Sequence, residues 1–282
     1  MGRKDIRDII NDDPSTDLHV HTKHSDGEQT PEEVVRWAKE KGLMLMSVTD
    51  HDGVGGLKDA AAAAEKAGIG FVTGVEFSTD MPFERSTDGS GKIEMHMLGY
   101  GFDPDNEAVL KKCAQMIVNR EKRNEKLLEA IIEEGYDISK GDIPPAEAGF
   151  MGKPQIAAAL VEKGYFKNQK EVFKVLFDGK FKNIKKEKFD ALEIIELING
   201  AGGIAVLAHP MKIKNIGTRG TEEMYDNLEK IISELSAHGL GGLECCYGSN
   251  SEDETARCRG FAEKYGLISA RGSDWHGPNR KH

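Results

Sequence analysis

DLHVHTKHSDG, residues 17–27, starts as a buried strand and then turns abruptly polar, with three of the chain's nine histidines inside it. Side chains two apart on a strand share a face, so His19 and His21 point the same way. Two neighbouring imidazoles on one face make a bidentate corner for a metal ion. An HxH pair is equally at home on an ordinary protein surface, so the rest of the chain has to decide.

Working outward, short apolar runs bounded by polar or turn residues read as strands at 17–20, 43–48, 70–75, 93–100, 203–208, 241–247 and 266–272. Helical patterns lie between them. TPEEVVRWAKEKG (30–42) carries Thr30 as N-cap, Pro31 at N1, Glu33 at N3 and a closing Gly42. Residues 56–67 form a second helix closed by Gly68, and 190–201 and 222–238 two more. Strand–helix alternation predicts an α/β fold with a parallel sheet and helices outside. Seven strands suit closure into a barrel, with an open doubly wound sheet as the alternative. Residues 104–185 differ: they show helical periodicity, a long charged helix over 105–135, a run of lysines near the return, and no convincing strand. They read as a helical insertion capping one end of the barrel.

Nearly every predicted strand ends in, or contains, a metal-competent residue. These are His19 and His21, then Asp50, His51 and Asp52, then Glu76, His96, His209, Glu244, and finally Asp274 and His276. The carboxyl ends of parallel barrel strands are where active sites collect, so residues far apart in sequence converge there. Asp274 and His276 repeat the i, i+2 spacing of His19 and His21. Singly, each has a plainer reading: Asp50, Asp52 and Ser273 suit helix N-caps, and His96 an ordinary strand histidine. Six of the nine histidines, His19, His21, His51, His96, His209 and His276, lie within or at the ends of strand candidates, which favours a metal site. His24, His238 and His282 look incidental. Imidazole and carboxylate donors without thiolate suit Mn, Fe or Zn.

The composition narrows the function classes. A net charge of −10 argues against broad affinity for nucleic acid or membranes. Cys113, Cys245, Cys246 and Cys258 form no CxxC pair and no disulfide framework. The first residues lack a signal-peptide core, and no apolar run approaches the roughly 18 residues of a membrane span. These features predict a soluble, cytoplasmic protein with reduced thiols.

The motifs DLHVHTKHSDG (17–27), VTDHD (48–52), GVEFS (74–78), HMLGY (96–100), AHP (208–210) and GSDWH (272–276) together resemble the PHP superfamily of metal-dependent phosphoesterases. The likeness is greatest to its bacterial group of small phosphoesterases with a helical insertion in the barrel. The resemblance implies a distorted seven-stranded (β/α) barrel of PHP type over 1–103 and 186–282, with a small all-helical insertion domain at 104–185. It implies two or three divalent ions, Mn foremost, with Fe or Zn as alternatives. His19, His21, Glu76 and Asp274 would hold one. Glu76 would bridge to a second, held by His96 and His209. Asp26, His51 and His276 would hold the third.

The reaction implied by the same resemblance is hydrolysis of a phosphate monoester by a metal-bridged hydroxide, with Asp274 and His209 as catalytic side chains and His209 the candidate general acid. The implied partner is a small phosphorylated molecule, a nucleotide of the 3′,5′-bisphosphate type; 5′-to-3′ trimming of short RNA or DNA is the second enzymatic reading. A stable nucleic-acid complex and a membrane partner are not expected. A metal-binding module with a structural or regulatory role is the rival from another class. Lys153, Gln155, Lys180 and Arg271 are the expected substrate contacts, with Arg271 alternatively a partner of Glu244. One departure stands out. The group's Gly-Arg-Pro-His segment reads Gly152-Lys153-Pro154-Gln155 here. Lysine offers a phosphate a point charge and not a bidentate fork, and glutamine cannot protonate a leaving group.

Overall fold

The computed structural model describes residues 6–144 and 152–279. Its strands are β1 (Thr16–Val20), β2 (Leu45–Val48), β3 (Gly70–Pro82), β4 (Lys92–Tyr100), β5 (Phe189–Asp190), β6 (Ile204–Leu207), β7 (Gly242–Tyr247) and β8 (Ile268–Gly272). Seven of them lie in the order β1-β2-β3-β4-β6-β7-β8, and the two-residue β5 pairs with β3. The segment after β8 returns to β1 through a single bridge, Val20 to Trp275. There the His21 N–H donates to the Trp275 carbonyl at 2.8 Å and the Trp275 N–H to the His19 carbonyl at 3.3 Å. The sheet is thus a nearly closed seven-stranded barrel.

The sheet departs from the all-parallel expectation at β4, which is antiparallel to both β3 and β6. The cause is the short link 83–91. A parallel return needs a crossover of a dozen or more residues, whereas a short loop turns the chain straight back. The hairpin also gives residues 76–82 a partner, so β3 runs on to Pro82 and not only to the expected position 75. Reversal places His96 midway along β4, opposite Ser78 of β3 and two residues beyond Glu76 in register, and so at the mouth where the parallel strands end.

Around the barrel are α1 (Pro31–Glu40), α2 (Leu57–Ala67), α6 (Ala191–Gly200), α7 (Glu222–Ala237) and α8 (Glu252–Tyr265); α3 (Glu107–Glu133), α4 (Lys153–Glu162) and α5 (Gln169–Val172) come between β4 and β5. The Thr30–Glu33 capping box opens α1 as its sequence predicts, and Gly42 takes a φ of 75° beyond its end. The α8 helix has no counterpart among the predicted elements. Its own capping box, Ser251 with Glu254, was the signal, but its charged face hides the apolar period. Outward strand residues such as Val48, Val75, Phe77 and Leu207 pack on helix residues such as Val34, Ala60, Ile194 and Ile231. Inward residues Leu18, Val72, Leu98, Tyr100, Val206 and Ala270 fill the barrel. Ladder irregularities interrupt the alternation at Asp17–Val20 of β1 and Glu244–Cys246 of β7. Bulges of this kind re-aim side chains beside functional sites.

The chain divides into two compact units, Met1–Cys113 with Phe189–His282, and Ala114–Lys188. The first division falls inside α3, and not at the expected 103/104, because Val109 and Cys113 belong to the barrel's outer core. The second unit has a core of its own, with Leu127, Ile131, Ile156, Leu160, Leu176 and Phe177. Its described elements are helical, including a π-helical stretch at Phe173–Lys180. Residues 145–151 of the expected insertion, and His282, lie outside the described residues.

Candidate metal centre

All nine expected ligands lie in the barrel unit, and the fold brings them together. His19 and His21 come from the end of β1, Asp26 from the loop after it, His51 from the end of β2, and Glu76 and His96 from the β3–β4 hairpin. His209 follows β6, and Asp274 and His276 follow β8. Three overlapping groups have donor atoms within 4.8 Å of one another: His19, His21, Glu76 and Asp274; His21, Asp26, His51 and His276; and His51, Glu76 and His96. His209 joins through Nε2, 3.0 Å from Glu76 Oε1, the oxygen that also meets His96 Nδ1 at 2.8 Å. Glu76 is fully buried and stands at the junction of the groups.

The first group fits a metal on its geometry. His19 Nε2 and His21 Nε2 face each other at 3.1 Å; they lie 3.3 and 3.2 Å from Glu76 Oε2 and 3.4 and 3.2 Å from Asp274 Oδ1. These are five of the six edges of a tetrahedron. A point equidistant from corners at that spacing lies about 2 Å from each, the length of a metal–imidazole or metal–carboxylate bond. Glu76 Oε2 and His21 Nδ1 are also buried with no hydrogen-bond partner among the described residues, and buried polar atoms rarely stay unsatisfied. The donor set therefore suits divalent ions.

Surrounding side chains fix the ligands' orientation. His19 Nδ1 meets Glu244 Oε1 at 2.9 Å, which puts the proton on Nδ1 and turns a bare Nε2 toward the cluster. The other Glu244 oxygen accepts from the His209 backbone N–H at 2.6 Å. Asp50 accepts from the Thr22 N–H, the Thr22 hydroxyl and the Ser25 hydroxyl at 2.8, 2.7 and 2.6 Å, fixing the loop that carries Asp26. Asp52 accepts from the Ser78 N–H at 2.8 Å, anchoring β3 just beyond Glu76. The backbone is strained at the same places: Asp52, His209 and Asp274 have φ of 57°, 26° and 57°. Such values are uncommon for non-glycine residues, and the one other described example is Asn215 at 65°. Gly272 has no room for a side chain, since a Cβ would lie 2.2 Å from Glu244 Oε1 and 2.3 Å from the His19 Cβ.

Charge is concentrated here. Burial opposes ionisation of Glu76, yet the imidazoles of His51, His19 and His96 hold it well below the usual carboxylate range. Burial acts likewise on Asp274 and Asp26, and their histidine neighbours again win. The same pairing raises His19 well above an ordinary histidine, through Glu244, Glu76 and Asp274 against the effect of burial. His21 rises to about 9, burial being outweighed by Asp274 and Glu76.

The expected substrate residues are placed differently. Arg271 does not join the cluster. Ala270 and Gly272 face into the barrel, so Arg271 faces out, and its Nε donates to the Asp12 carbonyl at 3.0 Å, with no bond to Glu244. Lys153 and Gln155 open α4 in the second unit, where Lys153 Nζ lies 5.3 Å from the Phe177 ring centroid and burial lowers its pKa. Lys180, at the end of the π-helical stretch, pairs with Glu134. Sequence reading missed two residues that do touch a ligand: Tyr247 and Lys212, both bonded to Asp274 Oδ2. For Tyr247 the signal was a phenol closing an apolar strand. For Lys212 it was only its nearness to the AHP motif.

The chain matches the family model described as PHP domain over residues 17–240. It is 34% identical over 273 residues to a 3′,5′-nucleoside bisphosphate phosphatase of Chromobacterium violaceum, covering 93% of this chain and 87% of that one. It is 32% identical over 267 residues to a 5′-3′ exoribonuclease of Haemophilus influenzae, covering 93% and 90%. A crystal structure described as a metal-dependent phosphoesterase from Bifidobacterium adolescentis aligns with a TM-score of 0.73 at 28% identity, covering 95% of this chain and 89% of that one.

Proposed function

The chain belongs to the PHP domain family, and from that membership we propose that it hydrolyses a phosphate monoester of a small nucleotide, of the 3′,5′-bisphosphate type. The observation that carries this reading is the gathering of nine imidazole and carboxylate side chains into linked groups at the barrel mouth, joined through the buried Glu76 and through His21 and His51. Bound divalent ions would supply an acidified water and Lewis-acid neutralisation of the phosphoryl oxygens. His19, His21, Glu76 and Asp274 hold one ion in this reading, with Mn foremost and Fe or Zn as alternatives. Glu76, His96 and His209 hold a second, and Asp26, His51 and His276 a third. Glu244 keeps a His19 proton on Nδ1, so Nε2 is the nitrogen left to face an ion. His209, whose Nδ1 makes no hydrogen bond among the described residues, is the candidate proton donor to the leaving oxygen only where it is not committed to the ion.

Trimming of RNA from its 5′ end is the second reading, favoured by the similarity to the Haemophilus influenzae exoribonuclease. One experiment separates the two. Mn-loaded protein is assayed for phosphate release from 3′,5′-bisphosphate nucleotides, nucleoside monophosphates and histidinol phosphate, and for mononucleotide release from short oligonucleotides, with His19→Ala as control. Phosphate from the bisphosphate class, lost in the variant, is the expected result. Mononucleotides from oligonucleotides would favour the exonuclease. Bound metal with no hydrolysis of any ester would leave a metal-binding regulatory module as the better reading.

A further inference from the structure

We propose that Lys212 is a substrate-phosphate contact of this centre, a cation at its rim held in place by Tyr247 and Asp274. The inference rests on the phosphoesterase reading and deepens it. The turn Pro210–Lys212 follows His209 directly, at a positive φ of His209, and brings Lys212 to Asp274. The Asp274 carboxylate is divided between two tasks. Oδ1 faces His19 and His21 in the ligand cluster, while Oδ2 accepts from the Tyr247 hydroxyl at 2.8 Å and from Lys212 Nζ at 3.1 Å. Lys212 Nζ also donates to the Tyr247 hydroxyl and lies 4.7 Å from that ring's centroid. Burial and the Asp274 charge push the Tyr247 phenol above its ordinary pKa, so it stays protonated and serves as a donor.

An ammonium has three donors. Asp274 and Tyr247 take two, and no further bond from Nζ exists among the described residues; the side chain is 42% exposed. A purely structural role explains this poorly. Tyr247 alone already satisfies Oδ2, and Oδ1 already faces an ion site. A second cation on that carboxylate adds positive charge where divalent ions would gather. A bound dianion would turn that surplus into attraction, and the unused N–H, one bond from Asp274 Oδ2, would be the donor offered to a phosphate seated beside that carboxylate. Arg271, the cation expected for this task, faces the other side of β8.

The test compares wild type with Lys212→Met, Lys212→Arg and Tyr247→Phe as Mn-loaded proteins. Metal content is measured first, then the affinity for inorganic phosphate by calorimetry, then KM and kcat on whichever ester the wild type cleaves. Metal content should be unchanged in all four. Phosphate affinity should fall roughly tenfold or more in Lys212→Met, the worth of one charge-assisted bond, with most of the change in KM. Lys212→Arg should recover most of it, because it keeps the charge. Tyr247→Phe should fall in between, as a positioning residue. Phosphate binding as tight in Lys212→Met as in wild type, with Lys212→Arg behaving the same, overturns the inference. So does loss of metal in Lys212→Met, which would make the lysine a support for Asp274 only. Wild-type protein that binds phosphate but cleaves no ester overturns the phosphoesterase reading instead, and the phosphate titration still decides Lys212.

Discussion

Stripping the protein with a chelator should make its stability fall steeply as pH rises from neutrality. The reason lies at His21. Burial alone would lower this imidazole, but the carboxylates of Asp274 and Glu76 raise it from 6.5 to about 9 in the folded chain. Between those two values the folded state holds a proton that the unfolded state has given up. The stabilisation is therefore complete below pH 6.5 and is lost as pH climbs to about 9. At about 1.4 kcal/mol per pH unit, this comes to about 3 kcal/mol. His19 shifts the same way and lies 3.1 Å away, so the loss belongs to the pair and not to either ring. The assay is guanidinium unfolding of EDTA-treated protein at half-unit steps from pH 6 to 9.5, repeated with saturating Mn. An ion and a proton compete for Nε2, so the loaded protein should show no such fall over this range. A flat profile in the stripped protein, or an equal fall in both, would refute the reasoning.

Glu244→Gln should lower metal affinity about 10–100-fold, because an amide must turn its NH2 toward either His19 Nδ1 or the His209 N–H; titration against a chelating indicator measures this. Gly272→Ala should cost about 1–3 kcal/mol in denaturant unfolding and weaken metal binding with it, since its Cβ meets Glu244 and His19. Cys113 and Cys258, pushed up to about 12 by burial, should not react with a thiol reagent at pH 8 until the protein is unfolded.

The ligands were legible because strand periodicity is local: an i, i+2 histidine pair shares a face whatever the rest of the fold does. Their convergence followed from the rule that barrel strands deliver residues to one rim. The reversal of β4 was present in the sequence too, in the absence of helical periodicity between positions 76 and 92, but it required weighing a link's length against its endpoints. The facing of Arg271 follows from its neighbours' parity in β8, where Ala270 and Gly272 turn inward. Glu244 was visible as a carboxylate inside the apolar run GGLECCY, and a buried charge needs a partner. That the partner is His19 depends on pairing between residues 225 positions apart, which no local pattern encodes. Lys212 and Tyr247 meet at Asp274 for the same non-local reason.

The seam of the barrel has a mechanical side. Along it the sheet's first and last edges share one bridge, Val20 to Trp275. The same two edges supply His19 and His21 on one side and Asp274 and His276 on the other. An ion held by His19, His21 and Asp274 would be a clasp on a hoop that backbone hydrogen bonding leaves almost undone. The clasp would link residues 19 and 21 to residue 274, so the loop it closes spans more than 250 residues, and cross-links over long loops restrict an unfolded chain most. Loading the site should then tighten this seam, and the amides of His21 and Trp275, which bond across it, are where slowed hydrogen exchange would register it.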